Sequence, residues 1–139
     1  SGAWLDGRRI LSTDTRVLDR ALLASGFPYD RRSTPTNNSH RFAHLLRHSQ
    51  GMRRAGAAAL DLAFVAAGWL DGYWEDRLSS WDIAAGSLLV TEAGGRVSDF
   101  SGRPAEIREG ALVATNSHIH DELLARLHEA DALLAGASA

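Results

Sequence analysis

Apolar positions along the chain fall into short runs separated by glycine, proline and small polar residues. Ala3-Trp4-Leu5 and residues 8–11 flank Asp6-Gly7, the pattern of a tight hairpin. Residues 20–25 (RALLAS) read as a short buried strand ending at Gly26-Phe27-Pro28. Residues 30–39 are polar, with Pro35, Asn37 and Asn38, and are expected to form a loop. Residues 40–50 repeat apolar side chains at Phe42, Leu45 and Leu46, which predicts a helix. Residues 56–68 (GAAALDLAFVAAG) predict a second helix, whose alanines allow close approach of neighbouring backbones.

Further on, residues 70–75 (LDGYWE) read as a strand and residues 81–93 as a helix stopped by Gly94-Gly95. Residues 96–100 and 111–115 read as strands around a turn at residues 101–104. Residues 116–134 predict a long last helix, and residues 136–139 a frayed tail. Strands alternating with helices of about a dozen residues indicate an α/β layered fold, one sheet flanked by helices. No internal repeat or low-complexity segment is visible.

The length, 139 residues, suits one domain over 1–139. A chain of this size buries about two-thirds of its unfolded surface, enough for a core. The formal net charge of −2 gives no electrostatic footprint for nucleic acid or an anionic membrane, so neither is expected as a partner. All 15 basic residues are arginine, which excludes lysine Schiff bases and a Walker lysine. The absence of cysteine excludes disulfides, thiolate catalysis and cysteine zinc sites, and fits a reducing cytoplasm. No apolar run reaches the roughly 18 residues of a membrane span. The N-terminal segment SGAWLDGRRIL is neither a signal nor a transit peptide. It lacks methionine and opens inside a hairpin-like segment, from which a fragment of a longer protein is expected.

Chemistry concentrates in WDIAAGSLLVTEAGG, residues 81–95. Asp82 falls in the first turn of a predicted helix, where the macrodipole and free amides stabilise a carboxylate. There it can ligate a Mg²⁺ ion. Ser79-x-x-Asp82 also matches a capping box, which needs no metal, and spacing alone leaves both readings open.

That segment resembles the C-terminal motif of the inositol monophosphatase superfamily, W-D-x-A-A-G followed by E-A-G-G. RRAGAAALDLAFVAAGWLDGYWE is similar to the family's substrate-side helix and strand. GAWLDGRRI, ALLASGFPYD, VSDFSGRP and LVATNSHIHDELL fit at family-like spacing, so the resemblance covers nearly the whole chain. It implies the C-terminal half of the layered α-β-α-β-α sugar phosphatase fold. It implies catalysis and metal binding by Asp82, as ligand of the Mg²⁺ on the leaving-group side. It implies substrate binding by Glu75, which would accept hydrogen bonds from hydroxyls, and by Gly56, Ala57 and Ala58, whose backbone amides would face the substrate. Many members have Ser or Thr where Ala57 stands; a backbone contact survives that change and a hydroxyl contact does not.

The implied activity is Mg²⁺-dependent hydrolysis of inositol phosphate or a related sugar phosphate. Fructose-1,6-bisphosphatase, nucleotide 3'-phosphatase or histidinol-phosphatase activity, and a protein-interaction module, are the alternatives. The family's paired-glutamate and D-P-x-D-G-[ST] motifs are missing from these 139 residues. One carboxylate cannot hold several Mg²⁺ ions, so the isolated half is expected to be inactive and to need the N-terminal half of the same enzyme. The resemblance also allows a homodimer.

Other features are less telling. His40, His44 and His48 recur every four residues and share one helix face. A solvated stripe is the expected reading, with zinc the alternative. Asp71 is expected in a turn, and Asp61 in a structural role with backbone or arginine as partner. The arginine pairs at 8–9, 31–32 and 53–54 are expected to be solvated or ion-paired. The four tryptophans are expected as core or interface anchors. Ser79 and Ser80 lack the G-x-S-x-G setting of a nucleophile.

Overall fold

The structure, a computed structural model, describes residues 1–28, 31–34 and 37–138. Of the expected polar loop, Asp30, Pro35 and Thr36 lie outside the described residues, as does Ala139 at the tail.

The chain opens with an antiparallel hairpin of β1 (Ala3–Leu5) and β2 (Arg8–Ile10). Asp6 and Gly7 both take positive φ, 50° and 76°, as a two-residue hairpin turn requires. A five-stranded mixed sheet follows, built from β3 (Leu22–Ser25), β4 (Gly51–Arg53), β5 (Gly72–Glu75), β6 (Arg96–Ser98) and β7 (Leu112–Thr115). Its order is β4-β3-β5-β7-β6. β3 runs parallel to β4 and β5, and β7 runs antiparallel to β5 and β6.

Among the described residues, four α-helices cover the sheet: α1 (Ser39–Leu46), α2 (Ala58–Ala67), α3 (Ser80–Glu92) and α4 (His120–Ser138). Alternate strand residues point to opposite faces, and the core divides accordingly. Ala24, Tyr73, Leu112 and Ala114 join Leu62, Val65, Ile83 and Val90 beneath α2 and α3. Leu23, Trp74 and Val113 join Leu45, Ile119, Leu123 and Leu127 beneath α1 and α4. The helix layers thus differ in sequence style. α2 and α3 pack closely on one another: a Cβ at Gly86 would lie 2.7 Å from the Leu62 Cβ, so only glycine fits.

The structure corrects several expectations. β4 lies in a stretch to which the sequence assigned no element; at three residues, GMR, it is too short to show an alternating pattern. The last helix starts at His120, not Asn116, because Asn116 turns the chain into it: its Oδ1 accepts the Ile119 amide at 3.2 Å. The tail is not frayed at residues 136–138, which continue α4. The histidine stripe is not solvated. His40, His44 and His48 are half-buried against α4, with His40 Nε2 2.7 Å from Asp131 and His44 Nε2 3.2 Å from Glu129. Asp71 is not a bare turn residue; its buried carboxylate accepts the Thr13 hydroxyl at 2.5 Å and the Leu22 amide at 2.7 Å, tying the first segment to the sheet. Trp74 alone of the tryptophans is a core anchor; Trp4, Trp69 and Trp81 are exposed.

Candidate active site

β3 and β5 lie side by side and parallel, but the chain leaves them toward opposite faces, to α1 from β3 and to α3 from β5. The carboxyl ends of two such strands border a crevice that the connections cannot fill, the usual ligand position in open α/β sheets. Gly26 follows β3 there, and Glu75 is the last residue of β5.

Glu75 lies on the α2–α3 side of the sheet with Tyr73, whose phenol donates a 2.6 Å hydrogen bond to its Oε1. Gly26 has no side chain for a visible reason: a Cβ would lie 2.6 Å from Glu75 Cδ and closer still to its oxygen. Burial pushes the Glu75 carboxyl above its ordinary pKa. The nearby Asp76 and Asp82 charges push the same way, while the Tyr73 hydrogen bond and Arg54 oppose them.

Asp82 is the third residue of α3 and is half-buried. Ser79 is the N-cap, in extended backbone, and its side chain makes no capping bond; only its carbonyl is used, accepting the Asp82 amide at 3.0 Å. The capping-box reading therefore fails in geometry. The Asp82 carboxylate has no hydrogen bond or ion pair to the described residues. Gly56, at φ 85°, and Ala57, extended at φ −144°, lead into α2, whose first residue is Ala58; Gly56 and Ala57 are exposed. Their placement at a helix start, with free amides, suits contact with a polar ligand.

Two residues whose part in this site the sequence reading missed complete the cluster. Tyr73 is fully buried, and its pKa is raised by burial and then by Glu75, Asp61 and Asp82. Asp61, in the first turn of α2, is 1% exposed, and its Oδ1 has no hydrogen-bond partner. Neither backbone nor arginine pairs with its carboxyl group, contrary to expectation. Burial, reinforced by the Glu75 charge, pushes its pKa up to about 7. A lone acid inside an otherwise apolar helix was the signal available; its closeness to Glu75 depends on the packing of α2 against β5.

Asp61, Glu75 and Asp82 thus form an acidic group with no basic side chain hydrogen-bonded to it among the described residues. The Asp82 carboxylate, an oxygen donor with no hydrogen bond or ion pair among the described residues, suits a hard cation such as Mg²⁺ rather than a soft metal.

The sequence profile of the inositol monophosphatase family matches residues 1–132. The chain belongs to that family. An inositol-1-monophosphatase of Synechocystis is 48% identical over 122 residues, covering 88% of this chain and 42% of the relative. A Nus factor SuhB of Pseudomonas aeruginosa is 47% identical over 125 residues, covering 88% of this chain and 46% of the relative. The solved inositol monophosphatase of Anabaena superposes with a TM-score of 0.90 at 49% identity, over 92% of this chain and 53% of that one. The chain therefore has the inositol monophosphatase fold and spans about half the length of the relatives it matches. No described helix is long and apolar enough to cross a membrane.

Proposed function

We propose that the whole protein is a Mg²⁺-dependent phosphomonoesterase acting in the cytoplasm on inositol phosphate or a related sugar phosphate. One observation carries this reading: the Asp82 carboxylate, without a hydrogen bond or ion pair among the described residues, lies near enough to Glu75 at the carboxyl end of β5 for its charge to raise the Glu75 pKa. Asp82 would hold the cation, with the remaining ligands in the part of the protein outside these residues. A Mg²⁺ ion there supplies charge neutralisation of the phosphate and stabilises the departing alkoxide oxygen.

The chain's own residues would bind and orient. Glu75, held in place by Tyr73, accepts hydrogen bonds from substrate hydroxyls, and the amides of Gly56, Ala57 and Ala58 face the substrate ring. A polyol or sugar phosphate matches both sets. Alone, the chain is expected to be inactive, because Asp82 is a single ligand. Leu60 and Leu88 of the α2–α3 layer are about half or more exposed, as are Trp69 and Trp81 at its margins, and the rest of the enzyme would cover them.

The test is phosphate release by the whole protein from a panel of inositol, fructose-1,6-bis-, nucleotide 3'- and histidinol phosphates. Release that requires Mg²⁺ and stops on chelation supports the reading; no turnover of any of them overturns it. A second reading, a protein-interaction module, is favoured by the relatives named Nus factor SuhB at 43–47% identity. A stable protein complex without turnover would favour it.

A further inference from the structure

The histidine stripe has its own partner on α4, on the face of the sheet opposite Asp61 and Tyr73. His44 and His48 are one helical turn apart on α1, their rings edge to face at 4.7 Å between centroids. Glu129 of α4 lies across from them, and the three candidate ligand atoms fall within 4.8 Å of one another. His44 Nε2 is buried and 3.2 Å from Glu129 Oε1, yet off the hydrogen-bonding direction, so it has no hydrogen-bond partner. An ordinary histidine–glutamate pair would align that bond. A nitrogen poised between a carboxylate and a second imidazole instead matches a metal's coordination sphere.

We propose that His44, His48 and Glu129 bind one divalent transition-metal ion of the Zn²⁺ class, clamping α1 to α4. Two imidazoles and one carboxylate are a recurrent zinc set, and a water can complete the tetrahedron. Imidazole nitrogens favour Zn²⁺, Co²⁺ or Ni²⁺ over Mg²⁺, so the site would not compete for the cation at Asp82. Small side-chain rotations bring the ligands from their present spread to the roughly 3.3 Å separations of a zinc tetrahedron. Arg126 Nη1 donates to both Glu129 oxygens, Oε2 at 3.0 Å and Oε1 at 3.3 Å; a metal at Oε1, the oxygen 3.2 Å from His44 Nε2, replaces the longer of these two bonds and leaves the shorter one to Oε2. Arg47 borders the same groove, and His40, Arg41 and Asp131 form a separate network one turn away.

The test uses the whole protein in excess Mg²⁺, with Zn²⁺ binding followed by competition with a chromophoric chelator and Co²⁺ binding by its visible spectrum. The wild type should bind one Zn²⁺ equivalent, with a tetrahedral Co²⁺ band and a higher Tm on loading. His48→Ala and Glu129→Gln should each weaken binding by at least about tenfold, the loss that even outer-shell substitutions cause, and should abolish the Tm rise. His118→Ala, exposed and outside the cluster, should bind as wild type. Unchanged Mg²⁺-dependent phosphatase activity in His48→Ala would verify its fold independently. No bound equivalent in the wild type, or equal affinity in His48→Ala and Glu129→Gln, would overturn the proposal.

Discussion

Tyr73 and Glu75 stand two residues apart on one face of β5, and the phenol donates a 2.6 Å hydrogen bond to the carboxylate. That bond favours the ionised form of Glu75 against the burial that opposes it. It also holds the Glu75 carboxylate in one position. Tyr73→Phe removes the donor, so the Glu75 pKa should rise further. A hydrogen bond to a charged group contributes about 1.5–3 kcal/mol, so KM for a polyol phosphate should rise about tenfold or more near neutral pH. kcat should change less. Steady-state kinetics of the whole enzyme across pH 5–9 check this; an unchanged KM and pH profile would contradict it.

Asp61 gives a pH dependence of the opposite kind to an ordinary surface carboxylate. Its folded pKa, about 7, lies above the ordinary 3.8. The neutral acid is therefore the form the fold prefers. Its stabilising contribution is fully present below about pH 4 and is lost as pH rises through 7. Asp61→Asn, neutral throughout, should leave stability near pH 4 almost unchanged and raise it at pH 8 by on the order of 2–4 kcal/mol. Urea unfolding of the whole protein in the absence of divalent cations, at both pH values, measures the difference.

His120 opposes this at lower pH. It is the first residue of α4, fully buried between the Ser98 hydroxyl at 2.7 Å and the Thr115 hydroxyl at 2.8 Å. Burial, with the Arg96 charge, lowers its pKa from 6.5 to about 4. The neutral ring is favoured, as also expected at the positive end of a helix. Its contribution is therefore complete above pH 6.5 and lost as pH falls through 4, on the order of 2–3 kcal/mol. His120→Gln should remove that acid-side loss, seen as a flatter stability curve between pH 6.5 and 4.

How much of this was legible beforehand depends on where each interaction is made. The strands 70–75 and 111–115 and helix α3 follow from local patterning: both observed strands fall inside the expected ranges, and α3 starts and ends one residue earlier than the expected 81–93. The positions of Asp82 and Glu75, at the start of a helix and the end of a strand, were readable for the same reason. What could not be read is which side chains meet across elements. Asp61 shows only as an acid in an alanine-rich helix; that it approaches Glu75 and finds no partner follows from the packing of α2 on β5. The histidine stripe has the spacing of one face, but the acids opposite, Glu129 and Asp131, lie some 85 residues away in sequence. The capping box matched Ser79 and Asp82 by spacing, yet a carbonyl bond alone closes that helix end.

The Asp82 carboxylate, unpaired among the described residues, is predicted to hold a divalent cation. Crystals of the whole protein soaked in Mn²⁺ and phosphate, with anomalous differences recorded at the manganese edge, test it directly. The prediction is a manganese peak about 2.1 Å from an Asp82 oxygen, the octahedral-cation distance. Cations bound elsewhere in the crevice with none at Asp82, its carboxylate turned onto the amides of its own helix, would contradict it.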